Sequence, residues 1–205
     1  MEFESWEPIY KQILKDFGYN RERDEYAAAL LSEMISDFKL DKLRDLIKDR
    51  DVVICGKSKR LERELKEVDL KRKVIIAADG ATSILLKLKI YPHIIVSDLD
   101  GNMSDIIEAN KKGAIILVHA HGDNIERLKR YVPELRNAIA TTQSKPLRNV
   151  YNFGGFTDGD RAVFLAKSMG AASIILIGFD FENKEVSEVK RKKLQWAKKL
   201  IDKYI

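Results

Sequence analysis

Ile94-Ile95-Val96-Ser97-Asp98-Leu99-Asp100-Gly101 couples a short apolar run to two aspartates and a glycine. The run Ile94–Val96 reads as a buried strand. In an extended backbone, side chains two residues apart share a face. Asp98 and Asp100 are therefore expected to point the same way, just past the carboxyl end of that strand. Two like charges about 4 Å apart repel by roughly 1–4 kcal/mol, depending on the local dielectric. A cation converts that repulsion into binding, and Mg²⁺ suits one or two carboxylates that leave room for water and phosphate oxygens. The bland alternative is a turn whose aspartates face water.

Moving outward, the same pattern repeats. Val52–Cys55 ends at Gly56, Val74–Ala78 at Asp79-Gly80, Ile115–Val118 at His119-Ala-His121-Gly-Asp123, and Ile174–Ile177 at Gly178-Phe-Asp180. Weaker strands are expected at 138–140 and 150–153. Helix-compatible stretches lie between, near 58–68, 81–89, 104–111, 124–131 and 159–169, and a basic helix closes the chain. Continuous apolar strands alternating with helices mark a mainly parallel, Rossmann-like α/β sheet covered on both faces. All carboxyl strand ends then fall on one edge, where ligands bind in open sheets. Ser104 and Asp123 also stand where helix N-caps would be. Capping accounts for any one of these polar residues, but not for carboxylates that repeatedly follow strands.

Residues 1–50 read as helical throughout. Trp6, Ile9, Tyr10, Ile13 and Leu14 recur at helical spacing, as do Tyr26, Leu30, Leu31 and Met34, with a break at Gly18-Tyr-Asn20. The expected organisation is an N-terminal helical segment, 1–50, packed on an α/β catalytic domain, 51–205. Its aromatic residues are expected in the core.

The 205 residues carry 37 Lys and Arg against 32 Asp and Glu, a net charge of +5. That modest excess admits an anionic ligand without arguing for nucleic acid, and no aromatic-basic stripe stands out. Abundant Lys and Glu with scarce glutamine is a statistical mark of heat-stable proteins. The single cysteine, Cys55, excludes an internal disulfide and is expected as inert core. No apolar run approaches the ~20 residues of a membrane span, and the acidic N-terminus lacks a signal peptide's apolar region. A cytoplasmic enzyme is expected, without a membrane partner; a homo-oligomer is allowed.

The second informative stretch is Gly154-Gly155-Phe156-Thr157-Asp158-Gly159-Asp160-Arg161. Two glycines permit close backbone approach, the following helix N-terminus suits phosphate, and Arg161 can fork onto phosphate oxygens. The alternative is a tight turn capped by Asp158. Gly56-Lys57-Ser58 fails as a P-loop, because Asp51 stands where the first glycine belongs, though it can still meet an anion. No dinucleotide fingerprint follows any strand. His119 and His121, with Asp123, could bind zinc, but only His93 remains as a further histidine, so a hydrogen-bonded pocket role is favoured.

Taken in order, Ala78-Asp-Gly-Ala81, Val96-Ser-Asp-Leu-Asp-Gly101, His119-Ala-His-Gly-Asp-Asn124 and Gly154-Gly-Phe-Thr-Asp158 resemble the archaeal 6-hydroxymethyl-7,8-dihydropterin pyrophosphokinase family. The resemblance covers nearly the whole chain, including the Trp6 region and the 24–31 helix. The series is more distantly similar to thiamine pyrophosphokinase, whose pattern runs D-G-G/A, G-D-F-D-S, T-D and G-G-R-x-D-H. Asp79, Asp98, Asp100, Asp123 and Asp158 fall at its acidic positions. Ser97, Gly101 and Gly159 depart from its first glycine, its serine and its final histidine, which fits a different acceptor pocket.

The resemblance implies transfer of the terminal diphosphate of ATP to the hydroxymethyl group of a reduced pterin, with AMP released. It implies Mg²⁺ held by Asp98 and Asp100, helped by Asp79 or Asp123. Gly154, Gly155, Thr157 and Asp158 would meet phosphate, with Arg161 neutralising charge. An aspartate or His121 would orient or deprotonate the acceptor hydroxyl. The competing readings are a metal-dependent phosphohydrolase, a thiamine-type pyrophosphokinase and a non-catalytic nucleotide-binding module.

Overall fold

A computed structural model describes residues 1–36 and 40–204. The expectation of helix throughout 1–50 therefore lies, over residues 37–39, outside the described residues.

Three helices open the chain: α1 (Phe3–Phe17), α2 (Arg21–Met34) and α3 (Leu40–Ile47). Gly18 ends α1 in the left-handed conformation, φ 67°. Asn20 starts α2, its side chain accepting the Arg23 N–H at 3.1 Å. Trp6, Tyr10 and Ile13 of α1 are fully buried, as expected. Tyr26 is not: it is 57% exposed, because α2 turns Asp24, Ala27, Ala28 and Leu31 inward instead. The two alanines let the helix backbone come close to the sheet.

The sheet follows. Its strands are β1 (Asp51–Cys55), β2 (Val74–Ala78), β3 (Ile94–Ser97), β4 (Ile115–Ala120), β5 (Ala138–Thr142), β6 (Val150–Tyr151) and β7 (Ser173–Ile177). Between them run α4 (Leu61–Glu64), α5 (Ala81–Lys87), α6 (Met103–Lys111), α7 (Ile125–Tyr131) and α8 (Asp158–Ser168), and α9 (Glu188–Tyr204) closes the chain. The strand order is β6-β5-β4-β3-β2-β1-β7, and every pairing between named strands is parallel. All seven carboxyl ends therefore share one edge.

Both faces are covered, which is why the strands are apolar throughout. One face packs on α2 and α4 to α6 through Leu31, Leu61, Leu85 and Ile106. The other packs on α3, α8 and α9 through Leu43, Val163, Leu165 and Ile201. Helix α1 joins a separate aromatic cluster of Trp6, Tyr10, Phe156, Phe164 and Trp196. Burial of five aliphatic residues in β2 alone, at about 0.8 kcal/mol per buried CH₂, anchors the strand that carries Asp79. Cys55 is buried, and burial pushes its thiol up to about 12, so it is inert. No helix among the described residues is long and apolar enough to cross a membrane.

Two capping expectations change. Asn102, not Ser104, caps α6 by accepting the Ser104 N–H at 3.2 Å. Asn124, not Asp123, occupies the cap position of α7, and its buried side chain is committed elsewhere.

Candidate active site

A cleft of about 520 Å³ opens over the shared edge. Asp79 follows β2, Asp98 and Asp100 follow β3, His121 follows β4, Gln143 follows β5, and Phe179 and Asp180 follow β7; all line it. The start of α8 closes one side with Thr157, Asp158 and Arg161.

The aspartate pair is not presented by a strand pleat, as the sequence pattern implied. β3 ends at Ser97, and Leu99 between the aspartates has φ 64°. That conformation costs a bulky residue energy, and burial of the Leu99 side chain to 1% exposure holds it in place. Ser97 supports the turn twice. Its hydroxyl donates to Asp79 Oδ1 at 2.5 Å and accepts the Leu99 N–H at 2.8 Å. Asn124 Nδ2 donates to the carbonyls of Asp98 at 2.8 Å and His119 at 2.7 Å, tying the β3 and β4 loops together.

Asp79, Asp98 and Asp158 each offer an oxygen, and these atoms lie within 4.8 Å of one another. The compact set thus includes Asp158, which the sequence reading placed with the phosphate contacts, and leaves the exposed Asp100 beside it. Asp98 Oδ1 is buried with no hydrogen-bond partner among the described residues. An unpartnered buried carboxylate oxygen is costly, and an all-oxygen, like-charged donor set fits a hard divalent cation.

Electrostatics separate the carboxyls. Burial, then the charges of Asp100 and Asp98, push Asp79 up to about 6 against the Ser97 hydrogen bond. Burial and Asp98 raise Asp100, and they raise Asp158 far more, despite its 3.2 Å pair with Arg161 Nη1. Burial is the largest single influence on Asp98 and would raise it, but the hydrogen bond from His121 Nε2 at 3.1 Å, together with the charges of His121 and Arg161, more than offsets it and holds Asp98 well below the usual range. Asp98 is therefore the most acidic carboxyl of the cluster.

Two expected contacts do not line the cleft, and the alternative of an Asp158 cap does not hold. Asp123 is exposed and does not line the cleft, and its backbone N–H donates to His121 Nδ1 at 3.2 Å. Gly154 and Gly155 are not among the residues that line the cleft. Gly155 has φ 90°, and a Cβ there would sit 2.7 Å from the Arg161 backbone, so the glycine seats the start of α8. Asp158 does not cap α8. Thr157 does, in a capping box with Asp160: the Thr157 hydroxyl donates to Asp160, and Asp160 Oδ1 accepts the Thr157 N–H at 2.8 Å.

The histidines do not gather into a zinc site. His119 is buried against Thr141, His121 serves Asp98, and His93 accepts the Ile75 N–H at the amino end of β3. Lys57 and Ser58 do line the cleft, as do the exposed Lys190 and the half-buried Lys193. Gln143 and Tyr19 carried no motif, and Lys193 belongs to the basic run Lys190-Arg-Lys-Lys193 of the last helix, which is expected to be a solvated face. Gln143 follows β5, Tyr19 comes from the connection between α1 and α2, and Lys193 from α9, both distant in sequence from the strand ends.

The model of the MptE-like family, described as 6-hydroxymethylpterin diphosphokinase MptE-like, matches residues 27–186. The chain is 43% identical to the 6-hydroxymethyl-7,8-dihydropterin pyrophosphokinase of Methanothermobacter thermautotrophicus, over 98% of this chain and 94% of the relative. It is 41% identical to the protein of that name from Methanocaldococcus jannaschii, over 98% and 95%. The Pyrococcus furiosus protein of the same name is 42% identical, over 98% and 94%.

Proposed function

The chain belongs to the MptE-like family of 6-hydroxymethylpterin diphosphokinases, and from that premise we propose that it transfers the terminal diphosphate of ATP to the hydroxymethyl oxygen of 6-hydroxymethyl-7,8-dihydropterin. The acceptor oxygen bonds to the β-phosphorus and the bond from that phosphorus to the α-phosphate bridging oxygen breaks. AMP leaves, and the hydroxyl proton is released. The observation that carries this reading is the Asp79–Asp98–Asp158 set facing Arg161 in one cleft.

Such transfer is mostly positioning and charge neutralisation. Asp79, Asp98 and Asp158, with Asp100 beside them, would hold Mg²⁺, which when bound neutralises phosphate oxygens. Arg161, fixed by Asp158, adds positive charge at the mouth of α8, where the helix dipole favours an anion. Lys57 supplies a second cation from the β1 side. His121 orients Asp98 and keeps it ionised.

Two departures from the thiamine pattern have a steric basis. A Cβ at Gly101 would collide with the Asp79 carboxylate, and one at Gly159 would come within 2.5 Å of the Phe179 ring. Neither the serine nor the histidine of that pattern fits without movement of Asp79 or Phe179.

The test is a screen of acceptors with Mg-ATP, with AMP as the readout. The expected result is AMP formation with 6-hydroxymethyl-7,8-dihydropterin and none with thiamine. Phosphate release without an acceptor would point instead to a hydrolase, and tight nucleotide binding without turnover to a sensing module.

A further inference from the structure

Asp24 lies on α2, outside the cleft, yet it is buried to 3% exposure and hydrogen-bonded to two loops of the site. Its Oδ1 accepts the Gly122 N–H at 2.8 Å. Its Oδ2 accepts the Tyr10 hydroxyl and the Gln143 Nε2, each at 2.8 Å. The Gln143 carbonyl is held as well, by Trp6 Nε1 at 2.8 Å. All three partners bring donors to the two Asp24 oxygens.

That arrangement decides which way the Gln143 amide points. The NH₂ group must face the carboxylate, so Oε1 faces the other way, and there it meets Arg161 Nη2 at 3.4 Å. Arg161 is thereby steadied from two sides, by Gln143 and by Asp158. We infer that Asp24 is a positioning residue for the nucleotide: through the Gln143 amide it sets the Arg161 guanidinium toward the phosphates. This rests on the reading of Arg161 as a phosphate ligand.

The chemistry of asparagine makes the inference testable. In the Asp24→Asn variant the side chain keeps one oxygen, and Gly122 N–H, purely a donor, claims it. The new NH₂ then faces Tyr10 and Gln143. The Tyr10 hydroxyl can accept, so it remains satisfied. Gln143 must turn its amide over, which places its NH₂ against the guanidinium. Two donors then face each other and Arg161 is displaced.

The experiment is titration of Mg-ATP, without acceptor, into wild type, Asp24→Asn, Arg161→Ala and the double variant. Asp24→Asn is expected to weaken binding roughly tenfold, the loss of one hydrogen bond at a charged group. In the Arg161→Ala background it is expected to add nothing. A purely structural role predicts an equal loss in both backgrounds, and that result overturns the inference. So does a folded Asp24→Asn protein with wild-type affinity. Should Asp24→Asn fail to fold, Gln143→Met takes its place: it removes Oε1 directly and must show the same loss and the same silence beside Arg161→Ala. An Arg161→Ala protein that binds Mg-ATP like wild type overturns both this inference and the phosphate reading. A weakened Arg161→Ala with Asp24→Asn and Gln143→Met unaffected overturns the positioning alone.

Discussion

Asp100 is the most exposed member of the acidic cluster, and partial desolvation at its inner side, with the charge of Asp98, raises its carboxyl, so its charge is a cost in the metal-free protein. Asp100→Asn relieves that repulsion and empties no core. Its melting temperature should hold or rise, while turnover falls steeply because phosphate positioning is lost. Excess Mg²⁺ should recover part of the loss. If Asp100 were merely a turn residue, stability would instead fall by about 1 kcal/mol with turnover unchanged. Melting and AMP formation on one sample decide between these. Asp79 gives a pH prediction. Its folded carboxyl, at about 6, lies above its ordinary value of 3.8, so between these the folded state holds more protons than the unfolded. Its contribution to stability without metal should therefore fall as pH rises from about 4 through 6. Asp98, shifted the other way, contributes its change below that window. The buried His119 and the partly desolvated His93, shifted down, raise stability with pH over the same window, so denaturant midpoints across pH 4–7, measured with a chelator present, should decline relative to those of Asp79→Asn; a constant difference between the two proteins contradicts the assignment.

At the scale of elements, the decisive device is the junction between Gly155 and α8. Gly155→Ala meets both a left-handed φ of 90° and a backbone 2.7 Å away. It should cost about 1–3 kcal/mol and raise the apparent KM for ATP through Arg161. Gly113 is the control: its φ is 111° but nothing lies within 4 Å of an added Cβ. Gly113→Ala should lose stability without changing KM, and equal KM effects from both variants would refute the packing argument. These elements were readable in the sequence to different degrees. The apolar runs of β1 to β4 and β7 announce a parallel sheet, because strands buried on both faces have no polar alternation. Asp79, Asp98, Asp100 and Asp158 were visible as residues following strands or glycines. The turn that joins Asp98 to Asp100 was not, since nothing local marks Leu99 for a left-handed conformation that burial enforces. Nor could the pattern show that Gly154 and Gly155 serve helix packing, or that Asp123 is exposed while Asn124 is buried. Gln143 was invisible because its meaning comes from Asp24, 119 residues away.

For the whole molecule, α1 and α2 brace the site as well as covering core. Trp6 is fully buried against Phe164, with ring centroids 6.4 Å apart, and it holds the Gln143 carbonyl. Trp6→Ala should cost about 3–5 kcal/mol by denaturant unfolding. It should also weaken Mg-ATP binding, an effect absent if the N-terminal helices only cover the core. One carboxylate-lined sheet edge moves a diphosphate as a unit. The most direct test supplies ATP labelled separately at the β- and γ-phosphorus, with Mg²⁺ and 6-hydroxymethyl-7,8-dihydropterin, and follows each label. Both labels should arrive together on the pterin, leaving unlabelled AMP. A γ-label on the acceptor with the β-label retained in ADP would contradict the account.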